Sequence, residues 1–490
     1  MKKEKIYNLL LYVIMFLYIV SIILQKPIND LDELWNYNFA RNIADGLVPY
    51  RDFNMVITPL LSIICGIVLK ITLNELIVMR ILAALLCSLM IYMVYKLLRM
   101  LNIEKSFCVI CAFGVAYLFK NVYCLDYNFA SLLLVLIIIY KEIQYYKKDE
   151  KFIKENLKED VLLGVLAGLS VTTKQTSGLF ICFAVLGNKL IFVRKKDEFK
   201  IYFKSFLYRL IGMIIPILLL VLYLVITNAF FEFISYTIKG ISEFSNKIPY
   251  KTLIGFNVLG VLSIFVPIMF IYLWIRTIIL EKDKIQYIFL VYGLGIFVVC
   301  FPISNEIHFL IGALPIIIII LYEVYNLFKR ITKYEKINKV ILSFLEIFII
   351  LFLIYTSAMN LYNYYSIRES YSTLNHFKYI PINKDLEKEI KKVNMYILEN
   401  KDIKILDSSA AIYMIPIDRY NKDFDMFNKG NFGANGEKRI IQNILESKGT
   451  KFLILNDKYS KNWQTPLDII DFVKINKTKT GKIKIFDIYE

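Results

Sequence analysis

The chain is poor in the residues on which soluble hydrolases and ATPases rely. It has two histidines in 490 residues, with no discernible HExxH, Walker or GxGxxG motif and no Ser/His/Asp constellation. Cysteine stops at Cys300. The seven thiols (65, 87, 108, 111, 124, 182 and 300) lie in or beside apolar segments and the polar C-terminal region has none, so no disulfide framework is implied. Cys108 and Cys111 form a CxxC, but its apolar neighbours read as packing inside a helix rather than as a metal or redox pair. Acids are the minority charge, 42 against 59 Lys and Arg, for a net +17. An excess of that size can serve nucleic acid, yet here it sits in short loops between apolar runs, so nucleic acid is not an expected partner. Internal repeats and low-complexity tracts are absent.

Apolar residues are abundant, 57% of the chain, with 15% aromatic. Runs of the length needed to cross a bilayer recur at about 7–24, 56–73, 76–98, 107–119, 127–140, 161–173, 177–193, 205–227, 252–275, 285–301, 309–328 and 340–360. The first follows MKKEK and lacks a small-x-small cleavage site, so it reads as an uncleaved span. Richness in Lys, Ile and Asn points to an AT-rich bacterial genome. If all twelve runs crossed, the basic loops would alternate inconsistently between sides. Treating 56–73, with Pro59, Gly66 and Lys70, as an interfacial or re-entrant piece leaves eleven spans. The loops at 2–5, 96–105, 141–160, 194–204, 276–284 and 329–339 then carry 25 Lys and Arg, against 8 in the loops on the other side. The positive-inside rule makes the first set cytoplasmic. The expectation is a mainly α, polytopic bundle in the plasma membrane with its N-terminus inside, and an extracytoplasmic α/β domain over 361–490. In that domain, helical spacing of Leu386, Ile390, Val393 and Ile397 follows Asn383 as N-cap, with a second helix near 437–447 ended by Gly449. Strand-like runs fall at 403–407, 451–455 and 482–489. The stretch NKGNFGANG (428–436) reads as turn chemistry.

The residues suited to chemistry collect on the outer side. The loop NDLDELWNYNFARNIADGLVPYRDFNMVITPL (29–60) pairs Asp32 with Glu33 at the start of a helical pattern, then Gly46, Tyr50, Arg51 and Asp52. Such a helix would lie on the membrane surface. Carboxylates held beside lipid lose water and gain proton affinity, which suits one to general-base work. On spacing alone, capping by Asp30, Asp32 and Glu33 is an equal alternative. Asp126, in KNVYCLDYNFAS, is either an N-cap or a second carboxylate from a second loop, as a divalent-metal site or an acid–base pair requires. Lys174 and Gln175 interrupt a long apolar stretch, marking a buried anion such as phosphate or a turn with a snorkelling lysine. Arg80 is a phosphate contact or an interface anchor. Glu306 and His308 sit at a span boundary, and Lys239 and Lys247 lie in an aromatic loop (228–251) that suits a lid.

Asp32-Glu33, the following helix, Gly46, Pro49-Tyr50, Asp52 and Pro59 resemble the catalytic first loop of membrane glycosyltransferases of the GT-C superfamily, nearest to the protein mannosyltransferase and aminoarabinose transferase type. The resemblance covers about residues 5–360. It implies a multi-spanning enzyme that moves a sugar from a polyprenyl-phosphate donor to an acceptor hydroxyl of a glycan, lipid or protein in the cell envelope. By position, Asp32 would be the base, Glu33 its neighbour and Asp126 the second-loop acid, with Asp32 and Asp126 holding a divalent metal cation if one takes part. Relatives often place a Lys just before the prolines ending this loop, where it meets the donor phosphate. This chain has Val56-Ile57-Thr58-Pro59, so Arg51, Arg80, Lys174 or Lys247 would substitute. The domain over 361–490 is a candidate for acceptor binding. Competing readings are a transporter or flippase for lipid-linked sugars, which should carry mid-bilayer charges and two related halves, and a glycan polymerase, whose main loop should come late.

Overall fold

A computed structural model of the chain describes residues 2–28, 31–149, 151–240, 247–281, 283–331, 335–400, 402–447, 449–462 and 464–490. Its helices in chain order are α1 (Lys2–Leu24), α2 (Leu31–Ala44), α3 (Leu60–Ile71), α4 (Leu76–Met100), α5 (Lys105–Leu118), α6 (Tyr127–Asp149), α7 (Leu157–Thr173), α8 (Gln175–Gly187), α9 (Lys196–Ile226), α10 (Phe230–Ile234), α11 (Val258–Ile275), α12 (Lys284–Phe297), α13 (Glu306–Ile331), α14 (Glu335–Ser366), α15 (Lys384–Glu399), α16 (Ala410–Met414), α17 (Gly436–Glu446) and α18 (Leu467–Asn476). Each of the eleven runs expected to span is helical. Among the described residues, eight segments are long and apolar enough to cross a membrane: α1, α4, α6, α8 with its extension to Phe192, α9, α11 with its continuation to Glu281, α13 and α14. The other three are shorter, 14 residues in α5, 17 in α7 and 14 in α12.

The run at 56–73 yields only the 12 residues of α3. At 1.5 Å per residue that is about 18 Å, against a hydrocarbon core of about 30 Å. Instead α3 packs on α2. Gly66 makes the approach close, since a Cβ there would lie 2.9 Å from the carbonyl oxygen of Ala40 and 2.8 Å from Ile43 Cγ2.

Two compact units result, one of Met1–Ile23, Ala83–Leu220 and Lys247–Asn360, the other of Leu24–Leu82, Val221–Asn246 and Leu361–Glu490. Residues 361–490 are not a unit by themselves. The first loop and residues 221–246, assigned from sequence to the membrane domain over 1–360, belong to their unit. The physical reason is burial: Trp35, Tyr37, Phe39, Tyr50, Phe53 and Tyr236 are all at most 9% exposed, and leaving such side chains in water forfeits about 1.5–3 kcal/mol each.

In the first unit α7 and α9 cross backbone to backbone. A Cβ on Gly164 would meet the Arg209 carbonyl oxygen at 2.0 Å, and one on Gly212 the Val161 oxygen at 2.2 Å, the small-residue contact that drives helix association in lipid. Buried Arg209 closes this crossing with ion pairs to Glu142 and Asp160, both 2.9 Å.

The second unit carries a four-stranded sheet of β1 (Ile403–Ile405), β2 (Lys451–Leu455), β3 (Lys479–Ile483) and β4 (Phe486–Tyr489) in the order β1-β2-β4-β3. β1 and β2 are parallel; β4 is antiparallel to β2 and β3. The run at 482–489, expected as one strand, is a hairpin turned at Lys484, whose φ is 51°. Asn383 caps α15 by accepting the Asp385 N–H at 2.8 Å. Ile390, Val393 and Ile397 of α15 are buried. α17 ends at Glu446, before the expected glycine stop, and α18 has no counterpart among the elements expected from sequence. Phe424, Phe427, Phe432, Ile440, Phe452, Ile470 and Val473 form the core beneath the sheet.

Candidate active site

The first turn of α2 holds both acids of the Asp32-Glu33 pair, where the helix dipole favours negative charge. Their side chains diverge. Asp32 is exposed, and its carbonyl oxygen accepts the Asn36 side-chain amide at 2.8 Å. Glu33 turns inward at 8% exposure and takes a two-pronged grip from Arg80, Nε to Oε1 and Nη2 to Oε2, each 2.8 Å. Arg80 is wholly buried and also donates to the carbonyls of Lys26 and Pro27. One guanidinium thus ties the chain entering α2, the first turn of α2 and α4 together. Arg80, expected as a phosphate contact or an interface anchor, and Glu33, expected as the neighbour of the base, pair with each other. Two charges this deep persist only when paired with full hydrogen bonding. Asp30 lies outside the described residues.

The rest of the loop is mostly scaffold. Tyr50, a site candidate from sequence, is buried with a φ of 68°, and its hydroxyl donates to the Ile57 carbonyl at 2.6 Å. Asp52 closes the 48–52 turn by accepting the Val48 N–H at 2.7 Å, and the Arg51 guanidinium, 2.8 Å away, holds its carboxyl below the usual range. Arg51 is exposed and donates to the Thr227 carbonyl at 3.1 Å.

Sequence reasoning missed the seam between this loop and the C-terminal segment. Asp423 accepts from Asn54 Nδ2 at 2.9 Å and pairs with Arg439 at 2.7 Å. The Tyr236 hydroxyl donates to Asn54 Oδ1 at 2.8 Å. Nearby, Arg41 donates to the Ile415 carbonyl at 3.0 Å, and the Trp35 indole reaches the Ser408 carbonyl at 3.4 Å. The Gly/Asn stretch is a docking turn: Gly433 has a φ of 72°, a Cβ on it would meet Ser235 Oγ at 2.8 Å, and the Ala434 N–H donates to that oxygen. The alternation of Asp423 and Asp425 before this stretch is the one local signal that marked the segment.

Asp425 is buried beside the seam. Its Oδ2 accepts the Asn421 N–H at 2.9 Å, while Oδ1 has no hydrogen-bond partner among the described residues. Burial pushes the carboxyl up to about 7, against the downward pull of the Asn421 N–H, Arg41 and Lys404. An unfolded Asp loses its proton near about 3.9, so the folded state binds more protons between that value and about 7. Stability therefore falls as pH rises through the window. Asp425→Asn is expected to flatten the slope and raise the unfolding temperature at pH 8 but not at pH 4, read by intrinsic fluorescence in detergent. An unchanged slope would show that other groups set it.

The remaining candidates lie in the other unit. Asp126 is buried, and its Oδ1 accepts the Asn128 N–H at 2.6 Å, opening α6. Asn128 Oδ1 accepts from Lys174 Nζ, which also lies 5.2 Å from the Tyr127 ring centre. Lys174 is extended (φ −150°, ψ 113°) at the junction of α7 and α8, and Gln175 opens α8. The Lys174 ammonium acts electrostatically on His308 and Cys300. His308 Nδ1 is 2.6 Å from Asn305 Oδ1, and Glu306 is in the first turn of α13. Lys247 is exposed, 5.5 Å from the Phe301 ring centre. The structure thus gathers Asp126, Lys174 and His308 in one unit, and Asp32, Glu33, Arg51 and Arg80 in the other. Among the described residues no group of three or more His, Cys, Asp or Glu is disposed to hold a metal ion.

No family model matches the chain, and no curated protein matches it. Solved structures do. The oligosaccharyltransferase of Archaeoglobus fulgidus in its apo form superposes with a TM-score of 0.51 at 13% identity, over 92% of this chain and 69% of that one. Its complex with Zn and sulfate gives 0.51 at 14% identity, over 97% and 72%. ArnT from Cupriavidus metallidurans bound to undecaprenyl phosphate gives 0.56 at 11% identity, over 98% of this chain and 97% of ArnT. Identities this low speak for architecture alone, and that architecture is GT-C-like, a helical membrane bundle with a C-terminal α/β domain.

Proposed function

We propose that the protein is a membrane glycosyltransferase that moves a sugar from a polyprenyl-phosphate donor to an acceptor hydroxyl on the outer face of the membrane. The observation that carries this reading is the start of α2: an exposed Asp32 on a turn that the buried Glu33–Arg80 pair holds fixed, within a GT-C-like fold. Asp32 takes the proton of the acceptor hydroxyl as its oxygen attacks the anomeric carbon, and the phosphate departs with the electrons of the broken C–O bond. Phosphate leaves readily, so base assistance of about 10²–10⁴-fold together with positioning supplies much of the rate. No step is assigned to a metal ion. The undecaprenyl phosphate in the ArnT structure supports a lipid-linked donor here.

The test is turnover in proteoliposomes supplied with labelled polyprenyl-phosphate sugars and envelope extract as acceptor. Release of free polyprenyl phosphate with label in the acceptor is expected. Movement of intact donor between leaflets without cleavage would instead identify a flippase. Orientation is checked with reporter fusions after Met100, Lys148 and Ser370. The first two are expected in the cytoplasm and the third outside, and a cytoplasmic Ser370 fusion would overturn the proposed topology.

A further inference from the structure

Away from the candidate active site, a cavity of about 260 Å³ opens in the first unit, lined by the end of α4, the start of α5, α13 and α14. Arg99, Lys329 and Lys339 line it against one carboxylate, Glu104. Arg99 Nη1 spends a hydrogen bond on a neutral acceptor, the Ile103 carbonyl, at 2.6 Å. Among the described residues neither Lys329 nor Lys339 has an ion pair or a side-chain hydrogen bond. The wall therefore carries two positive charges in excess. Its floor is aromatic, Tyr325 and Phe328 both packing on Phe107 at 5.1 and 6.4 Å between ring centres.

The surroundings decide what sort of anion fits. α13 presents exposed Leu327 and Ile331, and α14 exposed Val340, Ile341 and Phe344, on helices apolar enough to cross a membrane. A soluble anion gains nothing from that surface, whereas an amphiphile buries its chains along it. Basic pockets between spanning helices hold anionic headgroups in this way. We propose that this cavity binds the phosphodiester headgroup of an anionic phospholipid, with the acyl chains lying along α13 and α14. The charge count that makes 96–105 and 329–339 cytoplasmic would put the lipid in the inner leaflet. The inference does not depend on the glycosyltransferase reading.

The test is native mass spectrometry of the full chain in detergent with equal phosphatidylglycerol and phosphatidylcholine. Selective retention of phosphatidylglycerol is expected. Lys329→Ala with Lys339→Ala should weaken it by about 25-fold, roughly fivefold for each lysine near a lipid phosphate. Lys329→Arg with Lys339→Arg should keep it, which separates lost charge from lost fold. Equal retention of the two lipids, or undiminished retention by the alanine pair, overturns the proposal. So does an equal loss from Lys195→Ala with Lys196→Ala, two exposed lysines elsewhere in the unit, because it would reveal diffuse attraction. In a further arm, millimolar glycerol 3-phosphate should leave the lipid in place; its displacement would reassign the cavity to soluble phosphates.

Discussion

Asp32→Asn is expected to lower sugar transfer by about 10²–10⁴-fold, the range that a positioned general base supplies. The amide is isosteric and cannot accept the hydroxyl proton. The side chain is exposed and the Asn36 contact is made by the backbone of Asp32, and the lost charge at a helix N-terminus costs about 0.3–1 kcal/mol. The loss should therefore fall on kcat with KM for the donor nearly unchanged. Asp32→Glu should retain more activity than Asn, because a base is still present although displaced by one methylene. Initial rates with a fixed donor, alongside a protease-protection check of insertion, settle the matter. Full activity in a correctly inserted Asn variant would remove Asp32 from the reaction.

The second large effect concerns the pair beneath it. Glu33→Ala strands the wholly buried Arg80 guanidinium, and Arg80→Leu strands Glu33. Each is expected to destabilise the second unit by about 3–5 kcal/mol, the usual cost of leaving one buried charge unpaired. The double variant Glu33→Met with Arg80→Leu should recover most of this, since apolar pairs of similar volume often replace buried ion pairs without loss. The Lys26 and Pro27 carbonyls, which Arg80 also serves, set the shortfall. Urea denaturation in detergent, followed by cleavage within the first loop, measures each state. Equal losses in single and double variants would show that the pair does not anchor α2. Activity is the informative second readout. If it returns with stability, Glu33 positions Asp32; if stability returns alone, Glu33 takes part in the chemistry.

The eight long apolar helices among the described residues were legible because apolar run length reports directly on what a bilayer tolerates. Asn383 was legible as a cap because capping is local. The hairpin at Lys484 was not, because 482–489 alternates like one continuous strand and nothing in its composition marks a positive φ. Among the site residues, the position of Asp32 at the start of α2 could be read from the sequence. The partners of Glu33 and Asp126 could not. Glu33 finds Arg80 47 residues away, and Asp126 uses its carboxylate on the neighbouring Asn128 N–H, the capping alternative that spacing had left open. A carboxylate suited to catalysis and one suited to capping are the same residue type. The Asp423 seam escaped because its polar members pair across hundreds of residues and leave no periodicity behind.

Asn54 leaves the ribosome about 370 residues before its partner Asp423, and Tyr236 joins them from midway. The loop bearing Asp32 is thus made early, and its Glu33–Arg80 pair can form at once, but Asn54 cannot reach Asp423 until the last part of the chain has been synthesised. Contacts this distant in sequence form late and slowly. Through most of its biogenesis the nascent protein would be a set of inserted spans whose first loop has not yet docked at Asn54. Chains that end before Asp423 should insert normally yet never mature.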